Sequence, residues 1–347
     1  MSAVGTATFF GGLLLAKLIN YASRSSTSPS IPISIALLHD QDSNTSTAII
    51  SNFASSSDFI KLSKFEGDQI SSRDSEDSTK LDEGIAIARA KSAIPSNYTP
   101  EPYTKIDVLG KSASFVANEM LSSIPLEKSF VLVLCGLSGT GKGTTVAQLK
   151  SVLTQKHGKK VTTWSNGNIF RSVTYLAAMY CLKNGKKDFD ASFCLTPKLL
   201  KGFLGMLSFG QINGKFDIKV ESKELGVSML VGDVCNTVLK EPIVAKNIPT
   251  VAQVTQGEVI SFAAGAIQQL EAAGEVVLLE GREQTVDYVR TPHRFILTLS
   301  DESLIGKRRA AQRVGAAALK ICLEKEGLGV DVGGVMREVV KEMASNL

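Results

Sequence analysis

The residues best suited to chemistry in this chain of 347 amino acids form a glycine-rich turn between two regular elements. Branched apolar residues at 131–135 predict a buried strand, and residues 146–149 have the spacing of a helix. Glycines let the backbone curl so that N–H groups point inward at phosphate oxygens, and the helix adds the free donors of its first turn. We expect nucleoside triphosphate phosphates to be bound by Gly136, Leu137, Ser138, Gly139, Thr140, Gly141, Lys142, Gly143 and Thr144.

Lys142 and Thr144 have the most specific expected roles in this loop. Lys142 would reach the β- and γ-phosphates as a point charge. The spacing from Gly136 to Gly141 and Lys142 fits the phosphate-loop pattern, but Gly143 stands where a serine or threonine usually holds Mg²⁺. Thr144 is the nearest hydroxyl and is our predicted metal ligand. The alternative is a chance match to this pattern in a glycine-rich chain. The predicted strand before the loop and the predicted helix after it argue against a chance match.

Three further polar residues follow predicted strands at 160–165 and 275–279. Arg171 falls in the first turn of a predicted helix, where a cation opposes the helix dipole, so an anionic ligand explains it better than helix stability does. A solvated arginine is the alternative. Since ligands bind at the carboxyl edge of parallel sheets, Glu280 is placed to order water around a metal ion and Arg282 to clamp a phosphate.

A basic cluster lies in the helix that is expected after the predicted strand at 294–300; its members are Lys307, Arg308, Arg309 and Arg313. Such a cluster is usually a solvated face. Beside a triphosphate, however, arginines neutralise the charge that develops during phosphoryl transfer.

Composition describes an ordinary globular protein with 44% hydrophobic and 21% charged residues. The net charge of +4 suits small anionic ligands, and we expect no nucleic-acid partner. The five cysteines are scattered and the three histidines form no cluster, so we expect core packing in a reducing compartment and no zinc site.

The first hundred residues carry no recognisable chemistry. Residues 1–30 begin with a short apolar stretch that is too interrupted for a stable membrane span, followed by a serine-rich, acid-free stretch typical of organelle transit peptides. A docked or frayed apolar segment is the alternative, so the protein is expected in the cytoplasm or, with a transit peptide, in a mitochondrion or plastid. Residues 31–104 are rich in Ser and Asp and are predicted to be a partly disordered extension, with a short strand at 31–38 and a short helix at 82–91.

The predicted fold is an α/β P-loop domain over residues 105–347, in which a doubly wound, mostly parallel sheet has helices on both faces. We expect a helix at 106–123, four core strands, a fifth strand only if residues 31–38 supply it, and a small substrate-binding insert at about 185–250.

The ordered set of motifs resembles the cytidylate (CMP) kinases among the P-loop nucleoside monophosphate kinases. Residues 136–144, Gly-Leu-Ser-Gly-Thr-Gly-Lys-Gly-Thr, are similar to the family loop GPSGAGKGT, and the Lys-Gly-Thr ending explains Gly143. Residues 165–171 look like the family's D-[ST]-G-A-x-Y-R, residues 280–283 like D-G-R-D, and residues 308–312 like R-R-x-x-Q. The resemblance covers about residues 129–345 in the right order.

The resemblance implies ATP-dependent phosphorylation of a nucleoside monophosphate, with CMP or dCMP favoured. We expect the protein to be a monomer. The resemblance implies that Lys142 and the loop hold ATP, that Thr144 and Glu280 coordinate Mg²⁺, and that Arg308 and Arg309 close over the γ-phosphoryl group as lid residues. It also implies an acceptor site built from Asn166, Arg171 and Arg282. Lys142, Arg282, Arg308 and Arg309 would be the catalytic residues.

Departures from the family pattern keep two alternatives open. The acceptor segment has Ser165 and Asn166 for the family's Asp and Ser, and the family's Gln-Arg pair falls on Gln268 and Gln269. The family's arginine-rich second half of the lid has no counterpart in the sequence up to Leu347. The protein is therefore expected to be a CMP kinase, a P-loop kinase with another small acceptor, or a degenerate kinase that binds nucleotides or partner proteins.

Overall fold

The structure is a computed structural model that describes residues 32–40, 43–325 and 329–347. The targeting segment predicted at 1–30 lies outside the described residues. Contacts divide the described residues into two compact units, one comprising those up to Ser71 and again from Asp301 to Leu347, the other Ser72–Ser300. The domain boundary predicted at residue 105 falls inside the second unit.

The two units are built from the following elements, numbered along the described chain. The helices are α1 (Ile35–Asp40), α2 (Ser43–Phe53), α3 (Ser57–Ala90), α4 (Ala113–Leu121), α5 (Lys142–His157), α6 (Asn166–Lys183), α7 (Ala191–Cys194), α8 (Pro197–Gly205), α9 (Val231–Val234), α10 (Pro242–Ala272), α11 (Glu283–Val286), α12 (Ser303–Glu324) and α13 (Val332–Ser345). The strands are β1 (Thr104–Asp107), β2 (Val131–Gly136), β3 (Val161–Ser165), β4 (Leu207–Ile212), β5 (Lys215–Ser222), β6 (Val227–Leu230), β7 (Val276–Glu280) and β8 (Arg294–Thr298). A 3₁₀ turn spans Val238–Lys240.

A five-stranded sheet with the order β1-β8-β2-β7-β3 forms the centre of the second unit. Every neighbouring pair in it is parallel, so the carboxyl ends of all five strands lie at one edge. The predicted α/β class with a mostly parallel sheet is therefore confirmed. The predicted strands at 131–135, 160–165, 275–279 and 294–300 correspond to β2, β3, β7 and β8.

Helices cover both faces of the central strands, which explains why β2 and β7 are almost continuously apolar. Val131 and Val133 of β2 pack into one core with residues of α6 and α10. The alternate residues Leu132 and Leu134 are equally buried, and α5 contacts β2, β3 and β7. Burial on both faces is what strands between two helical layers require.

The fifth strand is β1, and the sequence prediction was wrong about it. Residues 106–107 belong to this strand rather than to a helix, and the helix begins only at Ala113, with the Ser112 hydroxyl accepting from the Phe115 N–H. The predicted strand at 31–38 is also wrong, since Ile35–Asp40 is helical. Four residues with one buried side chain carry too little pattern to be recognised, so β1 is defined by its pairing with β8.

Much of the stretch predicted as a partly disordered extension is helical, and one of its helices is long. The stretch 57–90 is one 34-residue helix, α3, of which residues 82–91 were predicted as an isolated short helix. Its buried positions include Phe59, Leu62, Leu81 and Ile85, which recur at helical spacing. The many serine and aspartate residues between them conceal this spacing, because they dominate the composition and most of them lie outside the core.

Between α6 and α10, the chain forms a small antiparallel sheet with the order β4-β5-β6, accompanied by the short helices α7, α8 and α9. This sheet occupies the span in which we predicted an insert. Phe209 of β4 packs edge-on against Trp164 of β3, with ring centroids 5.2 Å apart. The small sheet is thereby attached to the core of the second unit.

The first unit has a separate apolar core, formed by α1, α2, the first part of α3, α12 and α13. The helices α3 and α12 cross where both have a glycine. A Cβ on Gly306 would collide with the Ser63 carbonyl and would lie 2.8 Å from the Gly67 nitrogen, so this close crossing requires glycine. Glu66, buried in this unit, pairs with Arg313 and lies 4.0 Å from the Arg309 Nε.

Two global properties follow from the described residues. None of their helices is long and apolar enough to cross a membrane. All five cysteines are free thiols, and four of them are buried, as the core-packing prediction required.

Candidate functional site

The glycine-rich loop, residues 136–141, joins β2 to α5 at the carboxyl edge of the five-stranded sheet. Gly136, Gly139 and Gly141 have φ values of 144°, 80° and 88°, a region that side chains disfavour. At Gly136 the requirement is also steric, since a Cβ there would lie 2.7 Å from the Leu297 carbonyl oxygen of β8. The loop therefore depends on these glycines for its path.

The loop is held by polar contacts within itself. The buried Thr140 hydroxyl donates to the Leu137 carbonyl at 2.8 Å. Lys142 Nζ donates to the carbonyls of Gly136 at 2.6 Å and of Leu137 at 2.8 Å. The ammonium group thus lies directly against the loop. A bound anion would replace these two carbonyl oxygens as the hydrogen-bond acceptor of Lys142.

Glu280 ends β7 beside β2, in register with Leu134. Burial lowers the pKa of Lys142, and the Arg282 charge lowers it further, while the nearby Asp74 and Glu280 carboxylates oppose the shift. Burial also lowers the pKa of Arg171, again opposed by Glu280. Glu280 therefore faces positive charge from both the loop lysine and the first turns of α6.

Arg282, which caps α11, is bound by a carboxylate that sequence reasoning did not identify. Its Nη1 donates to Asp74 Oδ2 at 3.1 Å and its Nη2 donates to Asp74 Oδ1 at 2.6 Å, which makes the ion pair bidentate. The Ser138 N–H donates to Asp74 Oδ2 at 2.8 Å, and the Ser138 hydroxyl to Oδ1 at 2.8 Å. One carboxylate therefore accepts four hydrogen bonds from the loop and Arg282.

The ionised form of Asp74 is strongly favoured by these contacts. Burial alone would raise the pKa of Asp74, but the hydrogen bonds from Arg282 and Ser138 outweigh it and lower the pKa to about 2. Asp77, one turn along the same helix and 4.0 Å from Arg282, has the opposite shift, since burial raises its pKa. The positive charge of Arg282 thus stabilises chiefly the ionised form of Asp74.

Two of the three predicted acceptor residues, Asn166 and Arg171, lie near the start of α6, but their side chains are not equally available to a ligand. Arg171 is half-buried, and its Nη1 donates to Asn168 Oδ1 at 3.0 Å. The prediction that Arg171 lies in the first turn was wrong, because α6 begins at Asn166 and Arg171 is its sixth residue, in the second turn. Asn166 is only 1% exposed. Its side chain accepts from Trp164 Nε1 at 2.9 Å and donates to the Thr285 carbonyl at 2.7 Å. These bonds tie α6 to α11, so the structure gives no support to Asn166 as an acceptor contact.

The other predicted site residues fall in different places. Gly143 and Thr144 lie exposed in the first turn of α5, directly after the loop. Arg308 and Arg309 belong to the first unit and lie on α12. Their predicted lid role stays a prediction.

The predicted magnesium ligands are a hydroxyl, Thr144, in the first turn of α5 and a carboxylate, Glu280, at the end of β7. No group of three or more His, Cys, Asp or Glu residues that could hold a metal ion occurs in the described part of the chain. Mg²⁺ at nucleotide sites typically uses one or two protein oxygens and takes its remaining ligands from phosphates and water. A hydroxyl after the loop and a carboxylate on the adjacent strand supply such a set.

Asp74 was missed because it lies in a stretch read as linker, Ser71-Ser-Arg-Asp-Ser-Glu-Asp-Ser. A detectable signal did exist. Asp74 and Ser78 continue, at helical spacing, the stripe of buried residues that contains Leu81, Ile85 and Ala88. A carboxylate on the buried stripe of a helix needs a cationic partner, and Arg282 is that partner.

Comparisons of the chain with models of protein families and with curated proteins found no match.

Proposed function

We propose that this protein is a P-loop kinase that transfers the γ-phosphoryl group of ATP to a nucleoside monophosphate, with CMP or dCMP as the favoured acceptor. One observation carries the proposal. The glycine-rich loop lies between β2 and α5 at the carboxyl edge of a parallel sheet, with Lys142 against it and Glu280 on the adjacent strand. Nucleotides bind at this edge in folds of this kind.

The donor nucleotide would lie on the loop. Its phosphates would accept from loop N–H groups and from the first turn of α5, and Lys142 would exchange the Gly136 and Leu137 carbonyls for phosphate oxygens. Thr144 and Glu280 would hold Mg²⁺, which when bound neutralises charge on the β- and γ-phosphates. Catalysis would then rest on positioning and charge stabilisation, without a covalent intermediate.

The acceptor phosphate would be bound by Arg171 and Arg282. Both guanidinium groups lie at the carboxyl edge, one in the first turns of α6 and the other after β7. Arg282 suits a phosphate because its planar fork can donate two parallel hydrogen bonds. Asn166 is not retained in the proposed acceptor site, because both ends of its buried amide are bonded within the protein.

The alternative is a nucleotide-binding or partner-binding module without turnover, or a kinase with another small acceptor. The observation that favours the module is the pairing of Arg282 with Asp74, which removes a phosphate-binding cation from use. The resemblance supports the enzyme, since Lys142, Arg171 and Arg282 all match its motifs.

The test is ADP release by the full-length protein with ATP, Mg²⁺ and each of CMP, dCMP, UMP, AMP and GMP. We expect turnover with CMP or dCMP that falls by about 100-fold or more in Lys142→Ala, since a charge at the reacting phosphates is removed. Lys150→Ala is the matched control, because Lys150 is exposed on the same helix and should leave the rate unchanged.

Other outcomes would redirect the assignment. Turnover with a different acceptor alone would keep the phosphoryl transfer and exclude CMP. A folded protein that binds ATP but releases no ADP with any acceptor would support the module.

A further inference from the structure

The contacts of Asp74 are unusual because they come from the groups that should bind phosphate. Asp74 lies on α3, outside the region of the chain that resembles a kinase. Its carboxylate accepts from the loop N–H of Ser138 at 2.8 Å and from the Arg282 guanidinium at 2.6 and 3.1 Å. A backbone N–H in a glycine-rich turn and a two-pronged arginine are donors that also suit phosphate oxygens.

A carboxylate and a phosphate cannot occupy one set of donors together. The two anions would also repel each other strongly in a half-buried site, where charge is poorly screened. We propose that Asp74 is a built-in competitor of a nucleotide phosphate, so that the chain inhibits its own site until the segment 72–90 of α3 gives way. This inference rests on the proposed nucleotide-binding function.

The packing of the segment shows how Asp74 is held in place. Gly84 of α3 approaches the backbone of α10 so closely that a Cβ there would lie 2.9 Å from the Gln253 carbonyl. Ile85 and Ala88 pack with Ile260 in a small apolar cluster.

Polar contacts on the segment add to this packing. Gln284 Nε2 donates to the Ser78 hydroxyl at 2.8 Å, and Arg89 Nε donates to the Tyr288 hydroxyl at 2.9 Å. The first of these bonds is partly buried and the second is exposed. A segment held by a few apolar side chains and by such polar pairs is the kind that opens locally without unfolding the rest.

Competition predicts a specific effect on affinity. A ligand that must displace Asp74 binds with an affinity reduced by the fraction of molecules in which the site is open. Removing the negative charge of Asp74 while keeping its shape should open the site. Asp74→Asn should therefore bind nucleotide more tightly, whereas loss of a positioning residue would weaken binding.

The experiment measures binding of ATP with Mg²⁺, and separately of CMP, to the full-length protein by titration calorimetry. We expect Asp74→Asn to bind at least one of the two about tenfold more tightly than the wild type. Glu76→Gln is the matched control, since Glu76 is exposed on the same helix, pairs with Lys80 and carries the same charge. Its affinity should equal that of the wild type.

A second measurement covers the case in which Asp74→Asn fails to fold, which circular dichroism would reveal. Hydrogen exchange of the wild type should become faster over residues 72–82 when the nucleotide is added. Unchanged or slower exchange there would overturn the proposal.

The outcomes separate the two hypotheses. Equal or weaker nucleotide binding by folded Asp74→Asn, with clear binding by the wild type, would overturn the competitor and leave the nucleotide site intact. Absence of binding by both proteins would overturn the proposed function, and the inference with it.

Discussion

Asp74 and Arg282 form the most consequential ion pair near the glycine-rich loop. The Asp74 side chain is 6% exposed and that of Arg282 26%, so water screens their interaction only weakly. Two further hydrogen bonds from Ser138 satisfy the remaining acceptor positions of the carboxylate. Removing one partner leaves the other charge buried and uncompensated. The stability lost in this way is larger than the stability that the intact pair contributes.

Acid should weaken the protein through Asp74. Its pKa falls from an ordinary value of 3.8 to about 2 on folding. Because the folded-state pKa is the lower one, the contribution is fully present above pH 4 and is lost as the pH falls towards 2. We expect a loss of about 2 kcal/mol from this residue.

Urea denaturation of wild type and Asp74→Asn between pH 5 and pH 2.5 measures this contribution. The stability gap between the two proteins should shrink steadily as the pH falls below 4. A gap that stays constant over this range would contradict the assignment of the low pKa to Asp74.

The contact between α3 and α10 places Asp74 beside the loop, and it depends on glycine. A Cβ on Gly257 of α10 would lie 2.7 Å from Ala93 Cβ and 2.9 Å from Ala88 Cβ. Since neither alanine can rotate away, the helices can approach this closely only if position 257 has no side chain. The close approach explains how a polar helix can be fixed without a long apolar face.

Gly257→Ala should therefore push α3 away from α10. We expect it to destabilise the protein by about 1–3 kcal/mol, because the inserted methyl group overpacks the contact. Gly265→Ala is the matched control on the same helix, where nothing lies within 4 Å of the added Cβ. That change should stabilise by about 0.5–1 kcal/mol, as alanine does in helices.

Chemical denaturation of the two variants decides between these expectations. Hydrogen exchange should also become faster over residues 80–90 in Gly257→Ala alone. Similar stabilities for the two variants would mean that α3 is not seated on α10 through this glycine.

The division into two units assigns the whole candidate loop region to one continuous stretch of chain. Ser72–Ser300 contains all eight strands found in the described residues, whereas the other unit is assembled from residues on either side of it. The core of β2, β7, α6 and α10 lies inside that stretch. A continuous stretch with its own core can in principle fold alone.

We expect a fragment of residues 72–300 to unfold in one cooperative thermal transition. A fragment of residues 105–347 loses Thr104 of β1 and all of α3, including the buried Leu81 and Ile85. Its melting temperature should be lower by at least about 5 °C, since burial worth several kcal/mol is removed. Circular dichroism melts compare the two. Equal melting temperatures would show that residues 72–104, which include the end of α3, add nothing to the stability of the sheet.

Local chemistry was sufficient to predict much of the central sheet. Strands β2 and β7 are continuous apolar runs, and the glycines after β2 need positive φ angles that the sequence pattern implies. The same patterns place Gly136, Glu280 and Ser165 at the ends of parallel strands, and therefore at one edge. These features depend on residues close together in the chain, so they can be read without knowing the fold.

Contacts between distant residues determined the rest. The four residues of β1 become a strand through pairing with β8, about 190 positions later, and α3 is seated by Gly84 and Gly257. The hydrogen bond of the buried Asn166 and the pairing of Asp74 with Arg282 could not be predicted from the sequence, because the partners lie 119 and 208 positions away. The sequence predicted which residues would bind phosphate. Only the folded chain revealed that an internal carboxylate already binds two of them, because ion pairing depends on distance in space rather than along the chain.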